Sequence, residues 1–203
     1  GRVEFWIKLK DDLTKISENT LKNTVFLDEA REEFLTKISS KPELVQNVFF
    51  QDEVFGNTGS LPFLVNQPTT LTVIWQVKNY TSDLKETRVR AILPSWVRLT
   101  GKFFPEEFSS KIIFDTNSRE LLWIVGEVKK GTGVIGDEKK SIAFQVEILP
   151  QPDHKGKKID IISGGKIEAF DVWLESKVEQ DILPVTTSDL SDKDFSAEKG
   201  LVQ

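Results

Sequence analysis

The chain has 203 residues, of which 38% are hydrophobic and 29% charged, and its 14 phenylalanines are enough for an ordinary protein core. Its net charge of −5 comes from interleaved acidic and basic residues, which excludes a basic face for nucleic acid. It contains no cysteine, which excludes disulfides and thiolate metal sites, and no apolar run reaches the ~20 residues of a membrane span.

The first residues alternate between apolar and polar side chains, and a segment near the C-terminus has the same apolar phase. These two runs are Val3–Leu9 and Ile142–Ile148. A comparable segment follows each run, Glu32–Ile38 after the first and Asp171–Val178 after the second. The offset from Val3 to Ile38 is 35 residues, and the offset from Ile142 to Val178 is 36 residues. Similarity at a fixed register is typical of tandem repeats. We therefore predict that residues 1–45 are the closing strands of a partial preceding repeat.

The segment from Asp28 to Ile38 contains good helix formers such as Ala30 and Leu35. Its resemblance to the later segment nevertheless favours a strand. Because a two-stranded ribbon alone is only marginally stable in water, we expect residues 1–40 to pack on the complete domain or to borrow strands from another copy. An independent domain or a long helix there would contradict the tandem-repeat hypothesis.

Alternation of apolar and polar residues recurs along the rest of the chain and predicts strands. In residues 70–78, one face carries Leu71, Val73, Trp75 and Val77. Strands spaced about 8 to 12 residues apart, with turn residues between them, indicate a complete β-sandwich over residues 46–182. The predicted strands are 70–78, 88–93, 96–103, 111–114, 120–125, 141–149, 157–162 and 166–177.

Three segments of the chain do not follow this regular alternation. In residues 166–177 the apolar phase shifts after Ala169, which predicts a β-bulge within one strand. Residues 40–68 contain several turn residues and are predicted to join the partial domain to the complete one. The polar, weakly periodic residues 183–203 are predicted to be a linker or the start of the next repeat.

The candidate catalytic groups do not form a recognisable motif. The only histidine, His154, lies in a Pro/Gly/Lys-containing stretch without a nucleophile motif beside it, so we predict an exposed loop residue. The glycines of 126–133 lack the Lys-Ser/Thr pair of a phosphate-binding loop and precede a strand, so they indicate an ordinary loop. Adjacent carboxylate pairs such as Glu106-Glu107 point to opposite faces of a strand and do not share a cleft.

The acidic residues near the C-terminus are a candidate calcium site, because calcium prefers several oxygen ligands. They are Asp189, Asp192, Asp194 and Glu198. The spacing lacks the glycine and the distal bidentate glutamate of a calcium loop, so a solvated acidic linker is the preferred interpretation. We predict no catalytic, cofactor-binding or metal-binding residues.

The five tryptophans are candidates for stacking on sugar rings. Trp75 is in phase with Leu71 and Val73 and is predicted to be core. The phase or position of Trp6, Trp96, Trp123 and Trp173 does not decide their environment. Ordinary aromatic burial is the preferred interpretation of the set.

Six short motifs occur between about residues 50 and 180. They are Thr72–Tyr80, Ala91–Val97, Phe114–Glu120, Val125–Glu127, Gly131–Gly133 and Ala143–Val146. Together they resemble a bacterial immunoglobulin-like surface repeat, the family of the eleventh domain of unknown function, in a lineage-specific variant. The chain departs from the family at Asn57–Pro62, where the family often has an Asn-x-Gly-Pro junction.

The resemblance implies an all-β, immunoglobulin-like Greek-key β-sandwich, preceded by the terminal strands of another repeat. It also implies a non-enzymatic module of a secreted or cell-surface bacterial protein that is anchored in the membrane or wall. Such a module acts as a stalk, spacer or adhesion domain, and its partners are neighbouring repeats of the same protein. Two alternatives remain open, a glycan- or protein-binding module and an accessory domain of a larger extracellular enzyme.

Overall fold

The computed structural model describes residues 4, 6, 19–27, 29–136 and 138–203. Within these residues the chain forms thirteen strands and three short 3-10 helices, Glu106–Lys111, Pro152–His154 and Ala197–Gly200. None of the helices in this part of the chain has the length and apolar character needed to cross a membrane. The strands are β1 Thr20–Leu27, β2 Ala30–Lys37, β3 Glu43–Phe49, β4 Thr69–Lys78, β5 Leu84–Ile92, β6 Val97–Phe104, β7 Ile112–Phe114, β8 Glu120–Val128, β9 Lys140–Ile148, β10 Asp160–Ile162, β11 Gly165–Asp171, β12 Ser176–Ile182 and β13 Val185–Thr186.

Two antiparallel sheets enclose the core of the molecule. The strand order is β3-β4-β9-β6 in one sheet and β12-β11-β5-β8-β7 in the other. The chain passes from one sheet to the other after β4, β5, β6 and β8, so most consecutive strands are not neighbours, as in a Greek key. The predicted all-β, immunoglobulin-like Greek-key sandwich is confirmed.

The strand β4 shows how the alternating pattern builds this core. Its side chains at Leu71, Val73, Trp75 and Val77 are all fully buried, as the sequence pattern predicts. The ring of Trp75 contacts Phe144 of β9 edge-on, with 5.0 Å between the ring centroids. Aromatic pairs in this geometry are more stable than their buried area alone accounts for.

Residues 166–177 do not form the single bulged strand predicted from the sequence. The strands β11 and β12 form a hairpin, and the turn between them occupies residues 172–175. The Asp171 carboxylate accepts hydrogen bonds from the backbone N–H groups of Trp173 and Leu174 at 2.9 and 3.1 Å, and Glu175 has a φ of +56°. The shift in apolar phase therefore results from a chain reversal, and the bulge prediction is wrong.

The C-terminal segment packs against the sandwich, which corrects the prediction of a polar linker at residues 183–203. Its short strand β13 pairs with β10, and the side chains of Leu190 and Val202 are buried in the core. At its end, the N–H of Gln203 donates to the carbonyl of Phe63 at 2.8 Å. A few apolar residues among polar neighbours are enough to fix this segment. The sandwich, which begins with β3, therefore extends beyond the predicted bounds 46–182 on both sides.

The strands β1 and β2 form a two-stranded hairpin, which we call the arm. The preference for strand over helix in this segment is confirmed for Ala30–Lys37. The earlier half of the sequence echo, Val3–Leu9, lies outside the described residues except for Glu4 and Trp6. The later half does not correspond in structure, because Glu32–Ile38 lies mainly within β2 whereas Asp171–Val178 spans a turn. Repeat membership of residues 1–45 therefore stays a prediction.

Candidate interaction surface

The arm is an exposed ribbon with one mainly apolar face. Antiparallel pairing places Val25 opposite Glu32 and Asn23 opposite Phe34, so these residues share a face with Leu21 and Ala30. All eight residues of β2 are exposed, and the exposed fraction is 42% for Val25 and 53% for Phe34. An apolar sheet face left in solvent is typical of a surface that contacts another protein.

The opposite face of the arm carries a fixed set of charges together with Phe26 and Leu35, which are 68% and 67% exposed. The Lys22 ammonium lies 2.8 Å from the carboxylate of Glu33, and the Arg31 guanidinium donates to the same carboxylate. Arg31 also lies 5.9 Å from the ring centroid of Phe26. The hydrogen bond from Lys22 is the main reason that the pKa of Glu33 lies below its ordinary value. This face therefore presents an ionised carboxylate between two cations at neutral pH.

Hydrogen bonds tie both ends of the arm to the turn between β11 and β12. The Lys37 ammonium donates to the carbonyl of Trp173 at 3.0 Å and lies 4.7 Å from the centroid of its ring. The indole N–H of Trp173 donates to the carbonyl of Asn19 at 3.1 Å, and the Ile38 N–H donates to the same carbonyl at 2.8 Å. The residues at which the chain enters and leaves the arm, Asn19 and Lys37, are therefore both hydrogen-bonded to Trp173.

A buried polar network fixes the residues that follow the arm. The fully buried Asp171 accepts a hydrogen bond from the N–H of Ser40 at 2.7 Å, in addition to the two from its own turn. The Ser40 hydroxyl donates to Asn79 at 2.5 Å and accepts from the N–H of Thr81 at 3.1 Å. Because buried polar groups that lose their partners are costly, this network holds the base of the arm in one orientation.

The two sheets differ in how their outer edges are protected. The edge of β3 is covered by the C-terminal segment, since the Ser191 N–H donates to the carbonyl of Val48 and the Asp192 carboxylate accepts from the N–H groups of Phe50 and Gln51. The strand β12 ends its sheet, and within the described residues no strand pairs with its outer edge. Unpaired edge strands are templates for strand addition.

The residues along the edge of β12 are suited to contact with another strand. The side chains of Lys177 and Glu179 are exposed and alternate with the half-buried Val178 and Gln180. Leu183, the residue after β12, is 78% exposed. This edge therefore combines alternating charge with an exposed apolar side chain.

His154 is buried, so the prediction of an exposed loop residue is wrong. Its Nδ1 accepts a hydrogen bond from the backbone N–H of Gln151 at 3.1 Å. Its ring lies edge-on to Trp96, with 4.5 Å between the ring centroids. The polar residues around His154 do not predict its burial, because Trp96, which covers it, is distant in the sequence. The histidine stabilises a turn.

Two of the acidic residues considered for calcium bind the protein's own backbone. The Asp189 carboxylate accepts from the N–H and hydroxyl of Thr186, and both oxygens of Asp192 accept the backbone N–H groups named above. The other two acidic residues, Asp194 and Glu198, are exposed. Over the described ranges, no group of three or more His, Asp or Glu residues is arranged to hold a metal ion.

The tryptophans occupy different environments. Trp75 and Trp123 are buried in the core, and the half-buried Trp96 donates its indole N–H to the carbonyl of Asp160. Trp173 is 38% exposed but is covered in part by Lys37. Trp6 is 87% exposed. These side chains do not form a shared flat platform within the part of the chain that the structure describes.

A cleft of about 650 Å³ lies between the loop after β3 and the C-terminal segment. Its apolar lining comes from Phe50, Leu61 and Phe195, and its polar lining includes Asp192 and Lys199. The carboxylate of Asp192 is already occupied by backbone N–H groups. The cleft therefore offers an apolar surface with one cation at its rim.

No protein-family model and no curated protein matches the chain. Among solved structures, a variant of BcpA, the major pilin subunit of Bacillus cereus, is 14% identical over 82% of this chain and 47% of that one, with a TM-score of 0.44. The major pilin SpaD of Corynebacterium diphtheriae is 11% identical over 85% and 43%, with a TM-score of 0.43. The RrgA Jo.In complex is 9% identical over 79% and 80%, with a TM-score of 0.40. The chain spans about half the length of the two pilin subunits.

Proposed function

We propose that this chain is a non-catalytic, immunoglobulin-like module of a bacterial surface or secreted protein, and that it acts as a spacer or adhesion element through protein contacts. The observation that carries the proposal is the arm, an apolar ribbon left in solvent by a sandwich whose own core is complete. A protein that uses this surface for contacts has a reason to keep it exposed, because exposed apolar faces otherwise favour aggregation.

The rigid attachment of the arm supports the same role. Its base is held by the Trp173 contacts and by the buried Asp171 network, so the apolar face is presented in a defined orientation. Pre-organisation lowers the entropy lost when a contact forms. Membership in the family of the eleventh domain of unknown function belongs to this proposal and rests on the sequence motifs.

The location of the protein is tested with an antiserum raised against the recombinant chain. We expect the antiserum to label intact cells of the organism that produces the protein, and mild protease treatment of intact cells to remove the label. A cytoplasmic protein serves as the control for cell integrity. Labelling that requires permeabilised cells, with no protein in the culture medium, would overturn the proposal.

A further inference from the structure

The edge of β12 and the arm have matching properties. One is an unpaired strand edge at the side of a sandwich, and the other is a ribbon with an exposed apolar face, whose outer β2 edge has no strand partner within the described residues. Strand addition satisfies the backbone hydrogen-bonding groups of both edges. The arm could pair with β12 of its own chain or with β12 of a second copy of the chain.

The structure at the base of the arm makes pairing of the arm with β12 of the same copy unfavourable. Folding back onto β12 of the same copy requires the chain to bend at residues 38–40. Ile38 and Ser40 are buried there, and Ser40 is held by Asp171, Asn79 and Thr81. Bending would break this network and leave its polar groups buried without partners. Pairing of the arm with β12 of a second copy leaves this network intact.

The charges favour one register for this pairing. An antiparallel pairing of β2 with β12 is compatible with two copies related by a two-fold axis. The register in which Lys37 of one copy lies opposite Trp173 of the other places Glu33 opposite Lys177 and Arg31 opposite Glu179. Opposite charges directly across a strand pair are stabilising, whereas like charges are destabilising. With β2 moved by two residues, Glu33 faces Glu179 in one direction, and in the other direction Glu33 faces Glu175 and Arg31 faces Lys177.

The length of the contact predicts its strength. The edge of an eight-residue strand is about 26 Å long, and pairing along one edge buries less surface than packing face to face. We therefore expect a weak dimer with a dissociation constant on the order of 10 μM.

We infer that two copies of this chain form a two-fold dimer in which the β2 strand of each arm pairs with the β12 edge of the other copy. This inference rests on the proposed function, in which the arm is a protein-contact element, and it identifies the partner as a second copy. The dimer extends each five-stranded sheet with strands of the other copy's arm.

Cysteine cross-linking tests the pairing directly, because the natural chain contains no cysteine. The variants Glu33→Cys and Lys177→Cys change exposed residues that the inferred register places opposite each other. We expect a mixture of the two single-cysteine proteins to give a disulfide-linked heterodimer on oxidation. The control mixture replaces Lys177→Cys with Lys155→Cys, also exposed but in another loop, and gives at least fivefold less product.

A charge exchange tests the register independently by sedimentation equilibrium of the full chain. The arm variant Arg31→Glu/Glu33→Arg places like charges opposite the β12 edge, and we expect at least tenfold weaker dimerisation. Adding Lys177→Glu/Glu179→Lys in the same chain restores opposite charges and should recover dimerisation to within about threefold of the unmodified protein. The control variant Lys155→Glu leaves the dimerisation constant unchanged.

A chain that is monomeric at concentrations of several hundred micromolar would overturn the inference. So would a double-cysteine protein that cross-links within one molecule while the mixture of single-cysteine proteins does not, because this result would show closure onto the same copy. Neither result affects the labelling of intact cells, so failure of the dimer is distinguishable from failure of the proposed surface function.

Discussion

Asp171 shows how one side chain determines the attachment of the arm. Its carboxylate accepts three backbone N–H groups, from Ser40, Trp173 and Leu174, and is fully buried. Two of these donors shape the β11–β12 turn, and the third holds the residue that leaves the arm. A single acidic residue thus connects the local turn, the sheet edge and the orientation of the proposed contact surface.

We predict that Asp171→Ala lowers the free energy of unfolding by about 3 kcal/mol, because hydrogen bonds to a charged group are lost and buried donors remain unpaired. Urea denaturation followed by tryptophan fluorescence measures the change. Asp153→Ala, at an exposed position of the 3-10 helix Pro152–His154, is the matched control and should change the free energy by less than about 0.5 kcal/mol. Equal effects of the two variants would show that the buried network does not stabilise the fold.

Tyr80 makes the free energy of unfolding of the sandwich fall as the pH rises in the alkaline range. Its hydroxyl donates to the carboxylate of Glu43 at 2.6 Å, and burial together with this acceptor raises the Tyr80 pKa from 10.0 to about 12. The folded protein therefore keeps the phenolic proton where the unfolded chain loses it. The contribution to stability is complete below pH 10.0 and is lost as the pH rises toward about 12.

We predict that Tyr80→Phe lowers the free energy of unfolding by about 1 kcal/mol at pH 8, through loss of one hydrogen bond. The difference from the unmodified chain should shrink as the pH approaches 12, since the lost group then no longer stabilises the folded state. Urea denaturation of both proteins across this range measures the difference and cancels the titration of lysines. A difference that grows with pH would contradict the assignment.

At the scale of elements, the C-terminal segment protects one sheet edge. The carboxylate of Asp192 binds the N–H groups of Phe50 and Gln51 just after β3, and Ser191 pairs with Val48 within that strand. Leu190 and Val202 anchor the segment in the core on either side of its polar part. The fold therefore covers the β3 edge with its own chain, whereas within the described residues no strand pairs with the outer edge of β12.

We predict that Asp192→Ala lowers the free energy of unfolding by about 2 kcal/mol and increases aggregation at the exposed edge. Asp194→Ala is the matched control, since Asp194 is exposed two residues away. Chemical denaturation measures the first effect, and light scattering at constant protein concentration measures the second. Similar behaviour of the two variants would show that edge coverage by Asp192 is unimportant.

The elements that could be predicted from sequence are those whose own residues determine them. The alternation of β4 predicts its buried face because each side chain meets the opposite sheet directly. The turn at residues 172–175 was not predicted, since it depends on backbone hydrogen bonds to Asp171 that leave the apolar pattern ambiguous. His154 and the C-terminal segment were misjudged because distant residues, such as Trp96, bury what is locally polar.

At the scale of the whole molecule, the sequence predicts only part of the proposed contact surface. The sequence predicts strands in the arm and its marginal stability as an isolated ribbon. It does not predict that the arm is anchored at Trp173, or that the β12 edge is free while the β3 edge is covered. Those features depend on the order of strands in the two sheets, which joins segments more than a hundred residues apart.

The dimer and the isolated chain differ most in the backbone hydrogen bonds at their edges. In the isolated chain the described residues pair β1 and β2 only with each other, so we expect their amides to exchange hydrogen faster than those of β4 and β9. Arm exchange should also depend on protein concentration, because pairing with a second copy protects β2. Between about one tenth and about ten times the dissociation constant, mass action predicts roughly fourfold slower exchange in peptides from the arm and from β12.

Hydrogen exchange followed by mass spectrometry measures this change, and peptides from β4 and β9 are the internal control because both strands lie inside the sheet. The charge variant Arg31→Glu/Glu33→Arg should abolish the concentration dependence without altering the core peptides. Arm exchange that is slow at every concentration, as slow as that of β4, would mean that the ribbon is already covered within one chain. An arm that responds to concentration while β12 does not would mean that the two arms pair with each other, since β12 must gain protection if it receives the strand.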